Sequence, residues 1–500
     1  MRKYSDIKSN LFMIILMALI ALSCEDTTSP EDPLPTISSI SPSAGDIGRE
    51  VDVTILGSNF EGATVTSADE EVTVSDVTAT ATQITATLNI SENANPGNVT
   101  LSVTTNVGSA TVTFALALPG MPMISAITPS SGEIGNDVSV KISGANLFGG
   151  VLTLSDSTIS VSVLEATDDS IRAQFSLDTD ANPGFIDVTI TTISGSAIEI
   201  FEIEPASLAG ITWSAGLDMP TPRFVLSVVQ AKGNIFASGG VDTNNVIVKT
   251  VEIYDPISGV WTTGPELPVE LAGASITAID DQIYITGGST DLGRNDALYS
   301  LDISANVWTT LNSMPTVRSA TGGTSYNGKF YVAGGWDGTS VLNVFESFDT
   351  KNNSWTTLAN MPSQRESIGL VSIGDKLYAV GGDDGFNFFA TTQFYNVKDN
   401  TWSTTTAMPT EKTWQMSTKY LGNVLVAGGA VFGDNFFDSI IEVVSINPIT
   451  NTWTTLTNLP EARDSGGMVV VGNKVYIVGG IFRDDFEFSF PTDILIGELP

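Results

Sequence analysis

The sequence predicts an all-β chain in three folded parts, two tandem β-sandwiches followed by a ring of six four-stranded blades, and three observations carry that expectation. The stretch from Leu34 to Ala206 repeats at a constant offset of 87 residues, so that Pro42, Gly48 and Gly57 return as Pro129, Gly135 and Gly144. Beyond Leu208 the rhythm changes, with Gly-Gly pairs beginning at Gly239, Gly287, Gly334, Gly381, Gly428 and Gly479, spaced 48, 47, 47, 47 and 51. Apolar and polar residues alternate with the period of half-buried strands, as in Val51-Asp52-Val53-Thr54-Ile55.

Composition narrows the chemistry before any motif is read. The chain has 500 residues, 42% of them hydrophobic, and 56 acidic against 21 basic residues give a net charge of −35. Such a surface repels nucleic acid and anionic lipid and favours a monomer. With no histidine and one cysteine, His-based triads, His- or thiolate-ligated metals and internal disulfides are excluded by inventory, so no metal or cofactor is expected.

The chain begins with Arg2, Lys3 and Lys8 ahead of an apolar run from Leu11 to Leu22, too short to span a bilayer as a stable helix. Residues 1–23 read as a signal peptide. Ala21-Leu22-Ser23-Cys24 then resembles the lipobox of bacterial lipoproteins, which implies lipidation of Cys24 and a membrane anchor, although Ala21 stands where that family prefers Leu. Glu25 and Asp26 resemble the acidic tag of Bacteroidetes lipoproteins sent to the surface, implying an outer-membrane protein that faces the cell exterior. Residues 24–33 form a tether kept extended by closely spaced prolines.

Domain 34–118 and its copy 122–207 carry the strings ISSISPSAGDIGREVDVTILGSNF and ISAITPSSGEIGNDVSVKISGANL, each followed by Asn-Pro-Gly. These resemble IPT/TIG domains, which implies an immunoglobulin-like fold in both. Only Arg49, Lys141 and Arg172 are basic between Cys24 and Ala206, and aromatic clusters are lacking, so the pair reads as an acidic spacer rather than a binding site.

From residue 210 to 500, a tryptophan follows each of the first five Gly-Gly pairs, at Trp261, Trp308, Trp355, Trp402 and Trp453, while Trp213 precedes them all. The displacement implies that Ile211-Thr212-Trp213 supplies the fourth strand of the last blade, whose third strand is Asp493-Ile494-Leu495-Ile496. Pairing the two ends then closes the ring and removes its open edges. Seven residues before each internal tryptophan stands a large apolar residue, Tyr254, Leu301, Phe348, Tyr395 or Ile446. Two before it stands Gly259, Asn306, Asn353, Asn400 or Asn451, types that tolerate positive φ in a hairpin. Together these features resemble the Kelch repeat, which implies a six-bladed β-propeller.

Strand order places the loop into each blade and the loop after its Gly-Gly pair on one face. The first loop carries Arg223, Arg318, Arg365, Lys412 and Arg463, five of fifteen basic residues in the propeller, with Leu271 in the second blade. A cation ring around the inner channel would suit an anionic or polyhydroxylated ligand; the competing reading pairs these cations with local carbonyls or with loop acids such as Asp242 and Asp383. The loops after Gly-Gly add Trp336, Phe388 and Phe436, and Trp414 follows Lys412. Solvent-facing rings of this kind stack on sugars or anchor a protein partner. The expectation is a non-enzymatic surface protein whose propeller face binds a glycan or an extracellular protein. The alternative is an enzyme: the Kelch resemblance admits sialate mutarotases, for which Glu366, Arg365, Asp464 and Arg463 could act, whereas a galactose oxidase-like copper site fails for want of histidine.

Overall fold

The computed structural model of the protein describes residues 33–208, 210–433, 436–484 and 487–498. The expected signal peptide, Cys24 and the tether up to residue 32 lie outside the described residues. Every regular element described is a strand. The chain falls into two compact units, one holding the first sandwich and the other the second sandwich together with the propeller.

In the first sandwich, Thr36–Ser41, Glu50–Ser58, Gln83–Ile90 and Val72–Ala79 form one sheet, and Ala44–Asp46, Gly108–Ala117, Gly97–Thr105 and Thr64–Ser67 the other. The alternation read from sequence sorts as expected, with Val53 and Ile55 buried against Phe60, Leu88 and Phe114 while Asp52 faces solvent. The second sandwich repeats this topology strand for strand. Ser41-Pro42 and Thr128-Pro129, one offset apart, are both cis.

The second sandwich shares its hydrophobic core with the propeller. Ile134, Leu177 and Ala181 belong to the same buried cluster as Tyr420, Leu421 and Leu459. Gly422 makes the approach feasible: a Cβ there would lie 2.5 Å from Ile134 Cδ1, and its φ of +79° is one that glycine adopts without strain. Polar bonds frame the contact, with Lys419 Nζ donating to Asn182 Oδ1 (3.0 Å) and to the Asp180 carbonyl, and Asn423 Nδ2 donating to the Ala206 carbonyl (3.0 Å).

Six antiparallel four-stranded sheets make the propeller. In blade 1 they run Ser227–Ala231, Asn234–Ser238, Val251–Asp255 and Val260–Thr263, and the first strands of successive blades adjoin around the axis, that of blade 6 (Gly467–Val471) beside that of blade 1. The closure is the expected one. Thr212–Asp218 pairs antiparallel with Asp493–Glu498, and Trp213 lies opposite Gly497. Tyr254, Leu301, Phe348, Tyr395 and Ile446 are all buried between blades, and Gly259, Asn306, Asn353, Asn400 and Asn451 have φ between 49° and 69°.

The tryptophans have a role the pattern did not disclose. Each indole N–H donates to a carbonyl of the preceding blade: Trp261 to Leu217 (3.3 Å), Trp308 to Pro265 (3.0 Å), Trp355 to Asn312 (2.8 Å), Trp402 to Ala359 (2.8 Å) and Trp453 to Thr406 (3.0 Å). Trp213 completes the circle by donating to Thr457 at 3.2 Å.

Candidate functional site

The loop face is built in tiers, and the repeat cations occupy the deepest. Arg223, Arg318, Arg365, Lys412 and Arg463 are each no more than 1% exposed. Arg318 Nη1 lies 3.0 Å from Glu346 Oε2, Arg223 Nη2 3.1 Å from Glu252 Oε2, and Arg463 Nη2 3.1 Å from Asp493 Oδ1, while Lys412 pairs with Glu442. Among the described residues Arg365 pairs with no acid and instead donates to the carbonyls of Gly381 (3.1 Å) and Thr391 (2.7 Å), with Phe389 stacked on it at 4.3 Å. Burial holds the Arg318 and Arg365 guanidiniums down to about 10, still charged at neutral pH.

This placement corrects the expectation of a cation ring open to ligand. A cation enclosed in its own blade has no face left to offer a ligand. The local-carbonyl reading fits better, with one amendment: the acids are those of the third strand and its entry, not the loop acids Asp242 or Asp383.

One residue further along each loop lies the second tier. Phe224, Ala272, Ser319, Glu366, Thr413 and Asp464 form antiparallel bridges with the residues after Gly-Gly, namely Val241, Ser289, Trp336, Asp383, Ala430 and Ile481. Directly opposed residues point to one face, so Glu366 sits beside Asp383. Burial, then the neighbouring Asp383 carboxylate, raises Glu366 to about 7, with Arg294 opposing. Asp383 is also raised by burial, although it accepts from Thr413 Oγ1 at 2.6 Å. Asp464, fully buried, accepts from Ser439 Oγ (2.6 Å) and faces Arg483 Nη1 at 3.0 Å.

The third tier is a backbone ring at the channel mouth. Val225, Ala320, Ser367, Trp414 and Ser465 take φ of 53° to 56°, and Gly273 takes 64°. Amide-to-carbonyl bonds of 2.7 to 2.9 Å link five of the six steps, from Ser465 to Val225, Gly273, Ala320 and Ser367, and from Trp414 to Ser465. At the remaining step the Ser367 carbonyl accepts from the Gln415 side chain at 3.3 Å.

The aromatic residues gather above these tiers. Trp336 is half-buried under the Arg294 guanidinium at 4.2 Å, and Trp414 under that of Arg483 at 4.5 Å. Phe437 meets Trp414 edge-on at 5.2 Å, and Phe388, itself buried, stacks on Phe432 at 4.0 Å. Phe432 and Phe436 are each 55% exposed, and Phe386 is 85% exposed. Trp414 and Phe388 each meet Phe437, and sequence reasoning named none of Arg294, Arg483 and Ser439. Arg294 and Arg483 are unique to their blades, so no periodicity points to them, whereas Glu366 and Asp464 stand next to the repeat cations Arg365 and Arg463 and were legible as candidates.

Six closed blades presenting irregular loops on one face define a β-propeller. The chain belongs to the Kelch-repeat family: residues 226–429 and 273–480 match the KLHDC2/KLHL20/DRC7 Kelch-repeats domain. Residues 35–116 match the IPT/TIG domain. Beta-scruin of Limulus polyphemus is 36% identical over 78 residues, covering 16% of this chain and 8% of its own. Kelch-like protein 35 of Mus musculus is 30% identical over 103 residues, covering 21% and 18%. The matched segments thus span less than a fifth of either relative.

Proposed function

We propose that the propeller is a non-enzymatic binding module that captures a protein partner on its loop face, held outside the cell by lipid on Cys24 with the sandwiches as spacer. The observation that carries this reading is the stacked phenylalanine cluster of blades 4 and 5. Phe388 and Phe437 pack against Phe432, which is 55% exposed, and Phe386 and Phe436 on the same two loops are exposed as well. Exposed aromatic residues on adjacent loops are costly in a monomer and suit a partner. Net charge of −35 opposes nucleic acid and self-association.

The test is affinity capture by the purified chain, with Phe386, Phe432 and Phe436 replaced together by alanine as comparison. A partner identified with the parent chain is expected to bind about 100-fold more weakly to the variant, the loss of two to three anchors; equal affinity in a folded variant would refute the reading. The anchor is tested separately. Metabolic labelling with an alkynyl fatty acid is expected to mark the parent chain in a bacterial host and not Cys24→Ala.

A second reading has one observation in its favour. Glu366 held at about 7 is poised for proton transfer near neutrality, as a sugar mutarotase would need. Arg365, Arg463 and Asp464 are all enclosed, so only Glu366 of the expected set remains for that role. Acceleration of sugar anomerisation by the parent chain and not by Glu366→Gln would promote it.

A further inference from the structure

A cleft of about 560 Å³ opens on the loop face between blades 6 and 1, apart from the phenylalanine cluster, lined by Phe224, Asn245, Arg483, Glu487, Phe488 and Phe490 together with Thr243, Asn244 and Ile481. Its size falls within the range of small-molecule sites. We propose that this cleft binds a neutral saccharide, a mono- or disaccharide unit either free or at the end of a glycoconjugate.

The walls set the chemistry. Phe224 and Phe490 lie 5.8 Å apart at 45°, and Phe488 meets Phe490 edge-on at 6.2 Å, so three rings make a continuous apolar floor and side. Phe488 is 68% exposed in the chain alone, a surface that a stacked ring would cover. Around the rings stand Thr243, Asn244 and Asn245 on the loop of blade 1, and Arg483, the cross-strand partner of Phe488, with Glu487 on the hairpin of blade 6. Arg483 is fixed in place by Trp414 beneath its guanidinium and by Asp464.

An apolar side chain of a partner protein would fill the floor but strand these polar groups. Among the described residues, no group hydrogen-bonds the side chains of Thr243, Asn245 or Glu487. Burying them unpaired would weaken such a complex. A pyranose ring matches both requirements, since its C–H face lies on phenylalanine while its hydroxyls donate to Glu487 and Asn245 and accept from Asn245, Thr243 and Arg483. An anionic saccharide is disfavoured, because Asp464 already pairs with Arg483, Glu487 adds a negative charge and the chain as a whole is strongly acidic.

The inference is tested on the full chain with glucose, galactose, mannose, N-acetylglucosamine, cellobiose, lactose and chitobiose, by saturation-transfer NMR and calorimetric titration, alongside a printed array carrying the same sugars as conjugates. Saturable binding to at least one of them is expected, weakened about tenfold or more by Phe488→Ala and by Asn245→Ala and unchanged by Phe432→Ala. Binding of free sugar identifies a soluble ligand, and binding on the array alone identifies a glycoconjugate. No binding in either format, or binding indifferent to both cleft variants, overturns the inference. Because Phe432→Ala weakens protein capture and spares the cleft, failure here leaves the partner-binding reading standing, and the converse holds.

Discussion

Arg365 and Glu366 are chain neighbours with opposite fates, because adjacent residues of an extended segment face opposite sides. Arg365 turns inward to satisfy the carbonyls of Gly381 and Thr391, and Glu366 turns to the loop surface beside Asp383. The alternation was legible in the sequence; which of the two would be enclosed was not, since that depends on carbonyls supplied by the second and third strands. The consequence is a measurable pH dependence. Native Glu366 keeps its proton up to about pH 7, whereas the unfolded chain releases it near 4.5. Between those values the native state holds the extra proton, so stability falls as pH rises through the window. Glu366→Gln removes the titration. Its unfolding free energy is expected to be flatter from pH 5 to 8 and, with the shift discounted for solvent screening, higher than the parent's at pH 8 by about 1 to 2 kcal/mol. Denaturant titrations across that range check it, and parallel pH profiles would refute it.

Within a blade, the repeat cation acts as a tie between the incoming loop and the third strand. Arg318 and Glu346 are both about 1% exposed, so removing either strands a charge. Arg318→Met alone and Glu346→Gln alone are each expected to lower stability by about 3 to 5 kcal/mol, while Arg318→Met with Glu346→Met loses far less, because the desolvation of both charges disappears with them. Blade 2 already contains such a replacement. Leu271 takes the place of the cation, Tyr299 stands in the register of Glu252 and Glu346, and both are buried. The cation spacing was legible as a recurring position, but its partner acids were not, since they sit at two different registers: Glu252 and Glu346 in the third strand, Glu442 and Asp493 at its entry. The tryptophans repeat the lesson between blades. Their spacing showed where the fourth strands end, yet not that each indole reaches back to the previous blade. Trp355→Phe keeps an aromatic ring but loses the indole's second ring together with the 2.8 Å bond to Asn312, so a destabilisation of about 1 to 3 kcal/mol is expected in thermal or denaturant unfolding.

Across the whole second unit, closure of the ring by Trp213 was legible because one tryptophan was out of step with the Gly-Gly pairs. The attachment of the second sandwich was not legible, because the 87-residue offset makes the two copies look interchangeable. Asn95 and Asn182 occupy the same Asn-Pro-Gly turn, yet Asn182 accepts from Lys419 Nζ and from the Gly374 amide at 3.1 Å, bonds that only a propeller beneath it can provide. The sign in the sequence was Lys419 itself, a cation on an inner strand among small and apolar residues; burial lowers its pKa, and the sandwich carbonyls satisfy it. Since Ile134, Leu177 and Leu421 share one core, the sandwich and the propeller should unfold as one cooperative body rather than as beads on a string. Leu421→Asp places an unpaired carboxylate in that core, at a cost of about 3 kcal/mol or more to the contact, without touching the inter-blade packing around Tyr254 or Phe348. Calorimetry of the variant should therefore split off a transition for the second sandwich at lower temperature, and limited proteolysis should begin to cut between it and Trp213. A single unshifted transition in Leu421→Asp would mean that the shared core does not couple the two, and that this sandwich serves the propeller only as a spacer.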